Sequence, residues 1–199
     1  MRTAHPRSMK SMVALLFFAV PLFAQEEPRT VLAVGGEVSW GIGVNGRAVG
    51  FSLAQPHPHL TIAARLGNGG GHAYFEAYLM RRVGPGATED DEVARTSLDL
   101  SYPALGWITL FEDLDLERGV YWLVIAKPRD KAFSSINWIA ASPMVLETSC
   151  GGVGYLGTRA YTFLSDAAEY IPASKFEKEI DPYGFQIALT EPWEEIARP

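Results

Sequence analysis

Apolar and polar positions alternate along most of this chain in short runs, and each run ends in turn-forming residues. Runs rich in β-branched and aromatic side chains predict strands at 30–34, 48–54, 60–66, 73–81, 94–100, 107–111 and 120–126. Further runs predict strands at 136–141, 144–148, 159–164 and 183–189. Val49, Phe51 and Leu53 share one face of their run, and Leu98 and Leu100 face away from Asp99. Glycine- and proline-rich segments such as "GVNGR", "QPHPH", "GNGGG", "VGPGATEDD", "KPRD" and "CGGVG" separate the runs. No long amphipathic helix is present in the pattern, and 166–180 predicts at most one short helix, interrupted by Pro172. Many short strands at close spacing predict an all-β, antiparallel β-sandwich with jelly-roll-like connections and about nine to eleven strands.

Composition and charge add compartment and partner class. The chain has 199 residues, 48% of them hydrophobic, enough for one domain with a real core. Its first ten residues carry Arg2, Arg7 and Lys10 and no acid, and the apolar run "SMVALLFFAVPLFA" follows. This is the layout of a secretory signal peptide cut after Ala24, with Met9 as an alternative start. No cysteine stands near that cut, which argues against a lipoprotein. The expected organisation is a signal peptide at 1–24, a leader and first strand at 25–34, the sandwich at 35–190 and a tail at 191–199.

Losing 1–24 removes three cations and no acid, which moves the net charge from −6 to −9. That sign excludes nucleic acid and anionic membrane surfaces as expected partners. No other run is long and apolar enough to span a bilayer, so a secreted or periplasmic location is expected. Cys150 is the only cysteine, so no intramolecular disulfide forms and stability must come from burial. Its expected role is a small, buried or partly buried side chain.

The segments "AVGFSLAQPHPHLTIAARL", "GHAYFEAYLMRRVGPGATEDDEVART", "WITLFEDLDLERGVYWLVI" and "IPASKFEKEIDPYGFQIAL" occur in succession. This succession resembles the exported bacterial β-sandwich proteins of the choice-of-anchor or PEP-CTERM type, over roughly residues 35–190. The resemblance implies a secreted or cell-surface sandwich without established chemistry. The sequence departs from that pattern at "LTEPWEEIARP", where no apolar sorting span follows Glu191 and Pro192.

Asp113, Asp115 and Glu117 alternate with Leu114 and Leu116, which on a straight strand puts three carboxylates on one face. Neighbours in such a row lie roughly 6.6 Å apart, within reach of the two-carboxylate arrangement of a glycoside hydrolase. The row is similar to the Glu-x-Asp-x-Glu strand of jelly-roll β-glucanases, but it begins with Asp, and those domains exceed the length here. Arg118 and Gly119 follow at once, so the stronger expectation is a solvated approach to a turn, with the leucines facing the core.

Glu89, Asp90 and Asp91 form an alternative calcium site, although they lack the spacing and the central glycine of an EF-hand. A solvated charge run is the stronger expectation. His57 and His59, with His72 beyond, offer two imidazoles at i, i+2 for a metal, but Pro56 and Pro58 favour a stiff polyproline-like turn. Metals and other cofactors are therefore not expected.

Aromatic residues make up 12% of the chain. In "GVYWLVIA" both faces are apolar, Tyr121, Leu123 and Ile125 on one and Val120, Trp122 and Val124 on the other. The second face must be covered by a loop or left open to a ligand. Trp122, Trp107 and Trp138 are the candidate platforms for sugar rings, with core packing as the alternative for each. The functional expectation is a secreted, non-catalytic interaction module for polysaccharide or extracellular matrix. The alternatives are a carbohydrate-active hydrolase or lyase using Asp113, Asp115 and Glu117, and a structural envelope or matrix component.

Overall fold

The computed structural model describes residues 27–43, 47–68, 70–84, 87–101, 104–126, 136–160 and 184–192, with backbone alone at 38–43, 104 and 160. The expected signal peptide, the expected helix within 166–180, Trp193 and most of the expected tail lie outside the described residues. The protein is all-β, with antiparallel sheets in two layers.

The strands are β1 (Arg29–Gly35), β2 (Val38–Gly43), β3 (Arg47–Leu53), β4 (His57–Asn68), β5 (His72–Met80), β6 (Glu92–Ser101) and β7 (Ala104–Leu116). They continue as β8 (Gly119–Ala126), β9 (Ile136–Ala141), β10 (Val145–Ser149), β11 (Val153–Ala160), β12 (Gly184–Phe185) and β13 (Ile187–Glu191). One 3₁₀ turn, Glu89–Asp91, precedes β6. Several strands depart from expectation: β4 begins at His57 rather than 60, β7 runs Ala104–Leu116 rather than 107–111 and so includes Asp113 and Asp115, and the run at 183–189 divides into β12 and β13. β2 was not foreseen, and β11 begins at Val153 rather than 159, inside the glycine-rich stretch that reads as a turn. Gly151 and Gly152 make that turn with positive φ, and pairing with β3 then draws Gly154 and Gly157 into the ladder.

The smaller sheet has the order β11-β3-β8-β5-β6. The eight-stranded sheet runs β10-β1-β13-β4, with β7 on the far side of β4, and β9 carries β12 and β2. β4, β9 and the β12–β13 strand meet at Gln186, which is buried. Its N–H donates to the Ile139 carbonyl at 3.0 Å, and its own carbonyl accepts from the Arg65 N–H and the Trp138 indole, each at 3.1 Å. A buried backbone needs such partners where three ladders diverge.

The core lies between the layers. Val49, Phe51 and Leu53 enter it from β3, Tyr121, Leu123 and Ile125 from β8, and Ile62, Leu66 and Trp138 from the large sheet. Phe51 stacks on Tyr121 at 5.7 Å between ring centroids, and Trp138 packs on Phe185 at 5.1 Å. Leu98 and Leu100 pack against this core from β6 as their alternation predicts, and Asp99 is exposed opposite them.

β8 is the central strand of the small sheet and is buried on both faces from Tyr121 to Ala126, while Val120 at its start is exposed. On its outer side Trp122, Val124 and Ala126 join Ala48, Tyr78, Met80, Val83 and Ala87 in a second cluster. Val83 and Ala87 belong to the segment after β5, which folds back over the sheet. That segment is held by the Arg81 N–H donating to the Asp91 carbonyl at 2.7 Å. The loop-covered alternative for β8 therefore holds.

Candidate functional site

Trp107 sits on β7, at the margin of the large sheet, and is 49% exposed. Among the described residues β7 hydrogen-bonds to β4 alone. The register with β4 sets Trp107 opposite Arg65, Leu105 opposite Gly67, and Thr109 opposite Ala63. Leu105 is 70% exposed and shares the outward face with Trp107 and Thr109.

Beside Trp107, one transverse row crosses five strands. Thr109 of β7 pairs with Ala63 of β4, Ala63 with Ala188 of β13, Ala188 with Ala33 of β1, and Ala33 with Thr148 of β10. The alternate residues of these strands, among them Ile62, Ile187, Leu189, Leu32 and Val34, are in the core, so the row faces outward. Five strands at the usual spacing make a floor about 19 Å across. Its side chains are small, and Trp107 and Leu105 stand above it at one end. Arg65, opposite Trp107 and two residues along β4 from Ala63, is anchored by its Nη1 donating to Gln186 Oε1 at 3.1 Å. The arrangement is a shallow, nearly uncharged platform with one aromatic wall and one guanidinium.

The other two tryptophans do not form platforms. Trp138 is fully buried, and its indole N–H is spent on Gln186. Trp122 is 8% exposed, covered by Val83 and Ala87 from one side and by the Arg159 guanidinium, 4.5 Å from its ring, from another. Their burial corrects the expectation that Trp122 and Trp138 present ring faces to a ligand.

The three alternating acids are exposed, but they do not form a straight row. Between Leu60/Leu114 and Ile62/Phe111, β7 has one residue more than β4; between His57/Leu116 and Leu60/Leu114, β4 has one more than β7. His59 and Asp113 sit in these opposed bulges with φ of 54° and 58°. The Asp113 carboxylate bonds the His59 ring, and Asp115 Oδ1 accepts from the His59 N–H at 3.1 Å. Glu117 lies beyond the strand, and its carbonyl accepts from the Tyr121 hydroxyl at 2.7 Å. Leu116 is buried and Leu114 packs against the core, as the alternation predicts. Asp113 is six residues from Trp107 along β7, and Trp122 is in the other sheet.

The Glu89-Asp90-Asp91 cluster is structural at Asp91. Its Oδ2 accepts from the Thr88 N–H at 2.9 Å and its Oδ1 is 3.6 Å from Arg82 Nε, which helps to fix the segment covering Trp122. Among the described residues no group of three or more His, Cys, Asp or Glu is placed to hold a metal ion. The three described histidines instead take separate carboxylates: His57 pairs with Glu191, His59 with Asp113 and His72 with Asp99.

His57 is not in a polyproline turn but opens β4, and it is buried. Its Nδ1 meets Glu191 Oε2 at 2.9 Å and its Nε2 donates to the Gly151 carbonyl at 3.0 Å. This imidazole ties the start of β4 to the end of β13 and to the β10–β11 turn. Cys150, partly buried, packs against the core there, and its Sγ is 3.6 Å from both the Arg29 guanidinium and the Thr30 carbonyl. Nothing in the sequence marks the Thr-Ala-Ala-Ala-Thr row or the His57–Glu191 pair, because their paired members are 46 to 155 residues apart.

Compared with family models, with curated proteins and with solved structures, the chain matches none.

Proposed function

We propose that the protein is an exported, non-catalytic β-sandwich module that binds extracellular polysaccharide on the outer face of its large sheet. The observation that carries this reading is the half-exposed Trp107 beside a flat floor of small side chains. The C–H face of a sugar ring packs on an indole, and a flat floor accepts an extended glycan without pockets. Arg65 and the threonines of the row supply hydrogen bonds at its margin. Export is supported by the signal-peptide layout of residues 1–24, and the acidic net charge fits a neutral glycan better than an anionic one.

The test is a panel of neutral and acidic polysaccharides, probed with and without Ca²⁺. Binding is expected to be independent of Ca²⁺ and to be lost in Trp107→Ala while Trp122→Phe retains it. Undiminished binding by Trp107→Ala overturns the reading.

A further inference from the structure

We propose that the glycan lies across the strands of the large sheet, along the row from Thr109 to Thr148, and is an extended, ribbon-like, β-linked chain of the cellulose or xylan kind. This rests on the proposed function and adds to it the direction of the chain, its chemical class and a second row of contact residues.

The floor is level in one direction only. Along β7 and β4 it is interrupted on both sides of Trp107. Leu105, 70% exposed, stands on one side. On the other, His59 and Asp113 sit in opposed bulges with φ of 54° and 58°, and both side chains are exposed. Across the strands, by contrast, Ala63, Ala188 and Ala33 follow one another on β4, β13 and β1, each partly exposed. Thr109 and Thr148 continue that row at its two ends.

A second row runs beside the first. Thr61 of β4 pairs with Thr190 of β13, and Thr190 with Thr30 of β1. Thr61 and Thr190 stand two residues from Ala63 and Ala188, so they share the outward face, about 6.6 Å away along the strands. Thr30 reaches the same face because the register of β1 shifts between Thr30 and Leu32. All three threonines are partly exposed. Three consecutive strands thus each present one methyl group and, next to it, one hydroxyl.

That pattern fits one kind of glycan. In an extended β-linked chain with equatorial hydroxyls, the C–H bonds point above and below each ring and the hydroxyls lie around its edge. The ring faces then rest on the alanine methyls and the Trp107 indole, and the edge hydroxyls meet the threonines. One ring of such a chain is about as long as the strand spacing of about 4.8 Å, so successive rings meet successive strands. Five strands hold about four to five rings. A helical, α-linked chain turns hydroxyls down onto the alanines, where they lose water and gain no partner.

The test is isothermal titration calorimetry of the purified protein with cello-, xylo- and malto-oligosaccharides, from disaccharide to hexasaccharide. A β-linked series is expected to bind, with affinity rising up to about four to five rings and then levelling. Maltohexaose is expected to bind about tenfold more weakly or worse. Ala33→Gln raises an obstacle on β1, three strands from Trp107, and is expected to weaken the β-linked hexasaccharide by about tenfold or more. Thr148→Arg raises one at the end of the row, on the edge strand β10, without touching the core. Thr190→Val keeps the side-chain shape, removes the hydroxyl and is expected to weaken binding by about threefold or more. Circular dichroism of each variant checks that the fold is kept. Hexasaccharide binding that is lost in Trp107→Ala but indifferent to Ala33→Gln and Thr148→Arg overturns this inference and leaves the polysaccharide reading standing. Equal affinity for the α-linked series does the same. If no neutral glycan binds through Trp107, the polysaccharide reading itself fails, and this inference with it.

Discussion

His59 and Asp113 occupy left-handed backbone conformations in opposed bulges of β4 and β7, and their side chains bond to each other. Each conformation disfavours a side chain, and the two are held by a shared contact together with Asp115. Asp113→Ala keeps the unfavourable backbone and loses the bond, and is expected to cost about 1 kcal/mol in chemical denaturation. Asp113→Gly removes the backbone cost as well and is expected to be nearer to neutral. A double-mutant cycle with His59→Ala is expected to show coupling of about 0.5 kcal/mol, since both side chains are exposed.

Gly50 gives Trp122 its place. A methyl group there would lie 2.7 Å from the indole ring, with two more ring atoms within 3.0 Å. Gly50→Ala is therefore expected to destabilise by about 1–3 kcal/mol, through displacement of Trp122 from beneath Val83 and Ala87. Gly106→Ala, where nothing lies within 4 Å, is the control and is expected to change stability by no more than about 0.5 kcal/mol. Urea denaturation of the two variants side by side checks the contrast.

His57 closes one end of the sandwich with bonds from both ring nitrogens. His57→Leu leaves the Gly151 carbonyl and Glu191 without that partner, and is expected to cost about 2–3 kcal/mol. For a chain of this size that is a fall in melting temperature of about 4–12 °C. A thermal melt that does not move contradicts this role.

Trp107 and Trp138 are expected to divide stability from binding. Trp138→Ala empties a fully buried site and removes the partner of Gln186, for a loss of about 3–5 kcal/mol. Trp107→Ala is expected to stay within about 1 kcal/mol of wild type while glycan binding is lost. Denaturation curves and a glycan pull-down on the same preparations check both halves.

Much of the fold was legible because burial on one face of a strand leaves a period of two in the sequence itself. Leu98 and Leu100 against Asp99 in β6 show it plainly. β11 hid among glycines because its place depends on pairing with β3, which closes a contact of about a hundred residues. The candidate site was legible only in part. Trp107 was named for its residue type, but the row of small side chains beside it is a matter of register across five strands.

The stretch "FEDLDLERGVYWLVIAKP" divides the two kinds of information. Its composition alone determined that the acids face water, that Leu116 is buried, and that a turn lies at Arg118-Gly119. These are consequences of alternation and of hydration, which act locally. That Asp113 turns back to His59, that the turn passes the chain from one sheet to the other, and that Trp122 is covered while Trp107 is open were decided by the tertiary structure. Trp122 and Trp107 both stand in apolar strands. β8 was placed at the centre of its sheet under a returning segment and β7 at the margin of the other, and no local pattern encodes that choice.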